Sequence, residues 1–420
     1  MEINNDIRVA VVGLGYVGLP LLHSFLKKQI NAIGIDINEE TISNLKIGKT
    51  KIIAGSEEEI SLVLKDKISD NYEDLSDRNH IILCLPTPID KDKNPVMDYI
   101  DNSLSEIKKY IQDETLISLE STVYPGATRE YAKKHFSTKL GRSIFVCYSP
   151  EREDPGNKDF SLETIPKIIS GICPISIEMA KKCYSLVCKN LVLADSLEEA
   201  ESAKLLENIY RAVNIGLINE MKQILDKFDI DIFNVVNLAA TKPFGFQKFY
   251  PGPGVGGHCI PVDPHYLKWK ASSYDIDTKM INLADQINES MVKFLLNKIQ
   301  SSITRLNKKS KEASLLILGT SYKKNIADLR ESPSVNIIKK LLGNYGELEI
   351  IDPFLDDKSA ATISSNLNFN NQINYTKKYD LIVILTDHDI FDYEKLINMC
   401  SFIIDTRGRF SKENEKVIRA

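Results

Sequence analysis

A chain of 420 residues is longer than one ordinary hydrophobic core organises, so two or three domains are expected. Its 43% hydrophobic and 26% charged residues, with a net charge of −5, fit a soluble globular protein and exclude a nucleic-acid surface built on global positive charge. The polar start MEINNDIR reads as free of a signal peptide, no apolar run approaches the ~18 residues of a membrane span, and seven cysteines without a CxxC pair read as free thiols of a reducing cytoplasm.

Residues 7–37 predict strand, tight turn, helix and strand. IRVAVV leads into Gly13-x-Gly15-x-x-Gly18, LPLLHSFLKK has helical spacing, and NAIGID ends at Asp36. A lone GxGxxG says little, but one set between a strand and a helix, with an acid at the end of the next strand, is a dinucleotide fingerprint. Gly13 permits the turn, Gly15 lets the backbone approach a pyrophosphate, and Gly18 lets helix pack on strand. Tyr16 and Val17 complete the cofactor-binding turn. Asp36 would accept from a ribose 2′-hydroxyl and repel a 2′-phosphate, so NAD is the expected cofactor.

Apolar runs at 80–88, 115–122, 143–151, 166–171 and 190–195 read as buried parallel strands. Three of them end in polar residues, Thr87, Thr122 and Glu151. Ligands of open α/β sheets bind beyond the carboxyl ends of strands.

A long helix is predicted over about 197–228. Ser196 and Glu199 have the spacing of a capping box. Lys204, Asn208 and Arg211 fall at i, i+4 and i+7 on one face, beside an apolar stripe. The solvated edge of an ordinary helix has the same pattern. Next comes the run 243–263, PFGFQKFYPGPGVGGHCIPVD, with five of the chain's 20 Gly and four of its 16 Pro. It can be neither a helix interior nor a central strand, and reads as a loop whose backbone lies close to a ligand. Its one cysteine, Cys259, is a candidate nucleophile. His258 adjoins it, but sequence neighbours point apart, so His258 reads as a loop or substrate contact. No regular spacing among His258, Cys259, Asp263 and His265 supports a metal site.

Two more helices follow, then a polar stretch at 301–313 that reads as a linker or helix end. A second α/β unit starts at Ser314, with strands in SLLILGTSY, ELEIID, DLIVILTD and SFIIDTRG. Its first turn, at Gly319, lacks GxGxxG and should not grip a dinucleotide. Lys323, Lys324, Arg330 and Arg407 put cations near its strand ends, where an anionic nucleotide could bind.

GLGYVGLP, ESTVYPG, YSPEREDPG, EAESAKLLENIYRAVN, GPGVGGHCIPVD and YKKNIADLRESP occur in this order. Together they resemble the nucleotide-sugar 6-dehydrogenases of the UDP-glucose/GDP-mannose dehydrogenase family. The resemblance implies an α/β protein of two Rossmann-like doubly wound domains joined by a central helical region. The NAD-binding domain is expected over 1–195, a helical, dimerising region with the catalytic loop over 196–305, and a UDP-sugar-binding domain over 306–420. The family oxidises a sugar CH2OH to a carboxylate in two NAD-dependent steps. By resemblance, Cys259 is the nucleophile that carries a thiohemiacetal and then a thioester. Lys204 and Asn208 stabilise oxyanions, Asp263 and Thr122 position and activate water, and Glu151 serves thioester hydrolysis. Thr87, Thr122 and Arg330 are assigned to the cofactor. Glu151, Arg152, Lys204, Asn208, Arg211, Gly256, Gly257, His258 and Lys323 are assigned to the substrate.

The UDP-glucose branch has a second glutamate four residues after the one matching Glu151, where this chain has Pro155. The pattern Ser149-Pro-Glu-Arg-x-x-Pro-Gly156 resembles the branch acting on UDP-N-acetylhexosamines, with Arg152 as a candidate substrate contact. IPVDPHYLKWKA resembles the UDP-N-acetylglucosamine enzymes, with the UDP-N-acetylmannosamine enzymes as nearest rival. A two-electron hydroxyacid dehydrogenase and an idle nucleotide-binding scaffold are the other readings. The role implied is supply of an acidic amino sugar for capsule, O-antigen or another surface polysaccharide, by a cytoplasmic homodimer.

Overall fold

A computed structural model of the protein describes residues 6–50, 52–152, 161–410 and 414–420. The chain forms two compact units, residues 1–207 with 265–276, and residues 208–264 with 277–420.

The first unit is built on an eight-stranded sheet. Its strands are β1 (Arg8–Val12), β2 (Asn31–Ile35), β3 (Ile68–Ser69), β4 (His80–Leu83), β5 (Thr115–Leu119), β6 (Ile144–Tyr148), β7 (Lys167–Gly171) and β8 (Leu191–Leu193). Their order is β3-β2-β1-β4-β5-β6-β7-β8. The first six are parallel and follow the dinucleotide-binding order, with the strand order reversing at β1. Leu19, Leu22 and Phe25 recur at helical spacing on the helix Gly18–Lys27 and are fully buried, in one core with Val9 and Val11. That packing seats the helix N-terminus at the end of β1.

Two expectations change here. β7 runs antiparallel to β6 and carries β8 with it, so the predicted all-parallel series stops at β6. Thr87, Thr122 and Glu151 do not close strands. β4, β5 and β6 end at Leu83, Leu119 and Tyr148, and the three polar residues lie in the loops just beyond. The runs 80–88, 115–122 and 143–151 therefore each combine a short strand with the start of the loop that follows it.

The second unit contains a six-stranded, wholly parallel sheet: β9 (Ser314–Leu318), β10 (Glu347–Ile351), β11 (Phe369–Asn370), β12 (Tyr379–Ile384), β13 (Cys400–Asp405) and β14 (Val417–Arg419), in the order β11-β10-β9-β12-β13-β14. Counted within its own sheet, this order repeats that of β1–β6. Leu295, Ile299 and Ile303, one helical turn apart on the helix Lys279–Arg305, are fully buried with Leu315 and Ile317 of β9. The basic stretch predicted as linker or helix end proves to be the end of this helix and a short 3-10 turn, Ser310–Glu312.

One helix, Leu197–Lys227, runs unbroken from the first unit into the second. Ser196 Oγ accepts from the Glu199 amide at 3.1 Å. Glu199 reaches back to the Asp195 amide at 3.0 Å, one residue earlier than a regular capping box. Residues 243–262 form neither helix nor strand, as their Pro and Gly content requires.

Candidate active site

The turn after β1 is shaped for a phosphate. Gly13 has φ +93, its amide donates to Ile35 O at 2.7 Å, and a Cβ there would lie 2.4 Å from Cys84 O. Only glycine fits that backbone. A Cβ on Gly18 would overlap Gly13 O at 1.9 Å, so helix and turn are in contact. Gly15 differs from both: a Cβ there would meet nothing within 4 Å. Packing does not require glycine at 15, whereas a close-lying pyrophosphate does. Asp36 is half-buried, with Oδ2 accepting from the Leu14 amide at 2.8 Å and Oδ1 from the Asn38 amide at 2.9 Å. A carboxylate offers about four lone-pair directions, so each oxygen keeps one for a ribose hydroxyl. These features fit NAD. Tyr16 is exposed and Val17 half-buried in the same turn. Beyond β4, Thr87 is 3% exposed; beyond β5, Thr122 is half-buried.

In the same unit, Lys204 is nearly buried and donates through Nζ to Glu151 O at 2.5 Å, with Glu151 Oε2 at 3.8 Å. The loop after β6 and the start of the long helix are thus joined by an ammonium held close to a carboxylate. Arg152 is half-buried and engaged inside the unit, to Glu207 at 2.5 Å and to Pro166 O at 2.9 Å. Pro155, the residue that marks the branch, lies outside the described residues, as does Gly156.

In the second unit, Cys259 sits one turn before the helix Asp263–Ser272, and the Asp263 amide donates to Cys259 O at 2.9 Å. Asp263 is 1% exposed. Its Oδ2 accepts from Asn208 Nδ2, and Asn208 Oδ1 accepts from the exposed Arg211. Cys259, Asp263, Asn208 and Arg211 therefore form one continuous hydrogen-bonded series. The predicted shared face of Asn208 and Arg211 is occupied by this series, and Asn208 is fully buried, not a solvated edge. Lys204 precedes Asn208 by one turn of the same helix.

The glycines beside the cysteine have a partner that sequence could not supply. A Cβ on Gly256 would lie 2.6 Å from Tyr322 Cβ, and one on Gly257 would lie 2.9 Å from the Tyr322 ring. Gly257 has φ +85, and its amide donates to Arg330 O at 2.9 Å. Packing against the loop 320–331 therefore already requires glycine at both positions, apart from any contact with a hexose. Lys323 on that loop and His258 are half-buried; the exposed Arg330 is paired with Asp328 at 2.6 Å. Arg407, held by Leu385 O at 2.8 Å, lies with Nη1 3.0 Å from where a Gly252 Cβ would be.

Comparison with known proteins follows this geometry. The models of the UDP-glucose/GDP-mannose dehydrogenase family match its NAD-binding domain at residues 7–187, its central domain at 198–290 and its UDP-binding domain at 316–412. Protein CapL of Staphylococcus aureus is 35% identical over 97% of each chain. The chain belongs to this family. It is an NAD-dependent nucleotide-sugar dehydrogenase, and the turn at Gly13–Gly18 belongs to its NAD-binding domain. The UDP-N-acetyl-D-glucosamine 6-dehydrogenase of Pseudomonas aeruginosa is 34% identical over 84% of this chain and 85% of its own. A solved UDP-D-ManNAc dehydrogenase of Pyrococcus horikoshii superposes with a TM-score of 0.87 at 29% identity, covering 98% of each chain.

One polar cluster in this dehydrogenase had no signal in the sequence. Lys167, at the start of β7, pairs with Glu120 at 2.6 Å, both nearly excluded from solvent. Tyr184 donates to the same carboxylate at 2.7 Å, and Ser118 bonds Tyr184 and Cys147 at 2.7 and 2.8 Å. Glu120 adjoins Ser121, which is tied to Leu85 N and O. The cluster braces the strand ends that lead to Thr87 and Thr122. Its members are scattered over 118–184, so only the antiparallel return of β7 brings Lys167 to Glu120. Burial pushes the Cys147 thiol up to about 12, which keeps it inert.

Proposed function

We propose that the enzyme oxidises C6 of a UDP-N-acetylhexosamine, with UDP-N-acetylglucosamine the first candidate, to the uronate. The observation that carries this reading is the hydrogen-bonded series Cys259, Asp263, Asn208, Arg211, with Asp263 and Asn208 buried, which sets a cysteine one turn from a carboxylate and an amide. A two-electron dehydrogenase has no use for that cysteine; a four-electron one does.

Bound NAD supplies the hydride acceptor for each of two oxidations. The first takes the CH2OH to the aldehyde. Cys259 Sγ then bonds to C6, and Lys204 and Asn208 stabilise the negative oxygen of the thiohemiacetal. Loss of the second hydride leaves a thioester on Cys259. Hydrolysis by water, for which the resemblance assigns Asp263, Thr122 and Glu151, splits the C–S bond to give carboxylate and free thiol. Two hydrides leave the sugar, one water is consumed and three protons are released. A thiolate suits both halves, being nucleophilic toward an aldehyde and a good leaving group from an acyl carbon. The resemblance assigns Lys323 to the nucleotide sugar and Arg330 to the cofactor.

The sequence pattern around Glu151 and Arg152 supports the N-acetylated substrate, and relatives of both epimeric kinds support that class. We assign the product to surface polysaccharide synthesis, and the reaction to the cytoplasm, in keeping with seven free cysteines. We further propose a homodimer through the long helix. Tyr210, Leu217 and Ile224 are exposed at spacings of seven on one apolar helix face, and Phe228, just past the helix end, is exposed too.

The test is initial rates with the UDP derivatives of N-acetylglucosamine, N-acetylmannosamine, N-acetylgalactosamine and glucose, with NADH counted against sugar. Two NADH per uronate are expected, and Cys259→Ser should abolish carboxylate formation. One NADH per sugar with free aldehyde, or unchanged turnover of the Cys259 variant, would return the enzyme to two-electron chemistry.

A further inference from the structure

The loop 320–331 presses Tyr322 against Gly256 and Gly257 and carries Lys323, so whatever fixes this loop also fixes the neighbourhood of the cysteine. Its tip is Asn325, which holds φ +62, a left-handed backbone uncommon outside glycine. Two adjacent residues grip that tip. The Asn325 amide donates to His388 Nδ1 at 2.9 Å. The Asn325 side chain donates to Asp389 at 2.6 Å, and its Oδ1 accepts the Asp389 amide at 3.0 Å. Lys324 bonds the same carboxylate at 3.0 Å.

His388 is not a surface residue that happens to touch a loop. It is wholly buried, stacked on Phe354 at 4.9 Å and edge-on to Phe391 at 5.6 Å. With Nδ1 accepting, its proton is on Nε2, which faces Asp352 Oδ2 at 3.3 Å. Asp352 in turn receives the Thr320 and Ser321 amides at the loop's other end, at 2.8 and 3.2 Å. The imidazole thus connects the end of β10, the root of the loop and its tip.

We propose that His388 is a positioning residue for the nucleotide-sugar substrate: by holding Asn325 it sets the loop that bears Tyr322 and Lys323, and through Tyr322 the backbone of Gly256–Gly257 beside Cys259. The proposal rests on the functional reading above. His388 itself touches neither substrate nor cofactor in this scheme. Its action is felt first in the KM for the UDP-sugar; the KM for NAD moves little, because Arg330, at the far end of the loop from Asn325, is held by its own bonds to Asp328.

The two ring nitrogens can be separated by substitution. Gln at 388 reaches as far as Nε2 and retains a donor toward Asp352, but offers no acceptor at the Nδ1 position. Asn retains that acceptor and loses the donor. Steady-state kinetics of His388→Gln and His388→Asn are measured beside the unsubstituted enzyme, with UDP-N-acetylglucosamine and UDP-N-acetylmannosamine. The expected result is a tenfold or larger rise in UDP-sugar KM for His388→Gln, an NAD KM within twofold, and recovery of most of the loss in His388→Asn. Asn325→Gly keeps the left-handed backbone and its N–H while deleting the Asp389 bonds at an exposed position, so it folds even where a buried substitution does not. A severalfold rise in UDP-sugar KM is expected for it. Lowered melting temperature with both KM values unchanged, in His388→Gln and Asn325→Gly alike, would reduce His388 to a stabilising residue and overturn the proposal. Absence of turnover by the unsubstituted enzyme on every UDP-N-acetylhexosamine would instead overturn the functional reading.

Discussion

The two sheets of this enzyme start with the same construction and use it for opposite ends. In each, a glycine with positive φ follows the first strand, Gly13 at +93 and Gly319 at +80. Each glycine amide donates to the last residue of the second strand, to Ile35 O at 2.7 Å and to Ile351 O at 2.8 Å. Each next residue is an acid, Asp36 or Asp352, and each accepts on Oδ2 from the residue after the glycine at 2.8 Å. Each also accepts on Oδ1 from the amide two residues on, at 2.9 and 3.0 Å. The difference is what lies over the acid. Asp36 is half-buried next to Gly15, whose missing side chain faces open space. Asp352 is fully buried under His388, with the hydroxyls of Thr320 and Ser321 also on its Oδ2. One copy of the motif leaves lone pairs of its acid without a donor from the turn; the other uses them to close the turn.

Removing each acid gives the largest contrast. Asp352→Ala leaves His388 and five other donors, four of them fully buried, without their acceptor, and should cost about 3–5 kcal/mol. Urea denaturation of the second unit would register it. Asp36→Ala loses two partly exposed amide bonds, about 1 kcal/mol. Its main effect should be a roughly tenfold rise in NAD KM. Equal stability losses in the two variants would mean that the acids are doing the same thing.

The glycines give the next effect. Ala at 319 would put Cβ 2.4 Å from Thr386 Cβ in a left-handed backbone, so Gly319→Ala should cost about 2–3 kcal/mol. Gly15→Ala meets no protein atom, so its melting temperature should be unchanged while NAD affinity falls roughly tenfold. A destabilised Gly15→Ala, or one that binds NAD normally, would remove the evidence that this glycine is reserved for the pyrophosphate.

The contrast also marks what the sequence could tell. GxGxxG at 13–18 predicted an NAD-binding first domain, which the family's NAD-binding domain at 7–187 bears out, because the ligand's requirements are local and written as spacing. The loop 243–262 was legible for the same reason, since Pro and Gly forbid regular structure wherever they cluster. The direction of β7 was not legible, because a five-residue apolar strand has the same composition in either orientation. Nor was the role of His388, whose partners Asn325 and Asp352 lie 63 and 36 residues away. Gly256 and Gly257 fall between these cases. Sequence identified positions needing a smooth backbone, but the ring that fills the space belongs to Tyr322.

The smallest effect sharpens the comparison to that of two buried acids with opposite pH signatures. Burial would raise Asp352, but the bond from His388 and the amides of Thr320 and Phe354 outweigh it and hold the group at about 2. A depressed acid contributes stability above its unfolded value of about 3.8, lost only as pH falls through the folded value. Glu201, in the first unit, is also fully buried, accepting from the Gly126 and Thr128 amides at 2.5 and 2.9 Å where the helix Ala127–Phe136 begins. Here burial wins, with the Glu198 charge adding to it, and the carboxyl is pushed up to about 7. The sign therefore reverses: the contribution is full below 4.5, the unfolded value, and is lost as pH rises through 7. Glu201→Gln removes the titration and keeps an acceptor for one amide. Between pH 5 and pH 8 the variant should gain on the order of 2 kcal/mol relative to the unsubstituted enzyme, read as a closing or crossing of their melting temperatures. Asp352 is ionised throughout that window and His80, with a folded value of about 4, cancels in the difference. A gap between the two curves that stays constant from pH 5 to pH 8 would mean that the two amides at the helix start keep Glu201 ionised, making it a capping carboxylate of the same kind as Asp352.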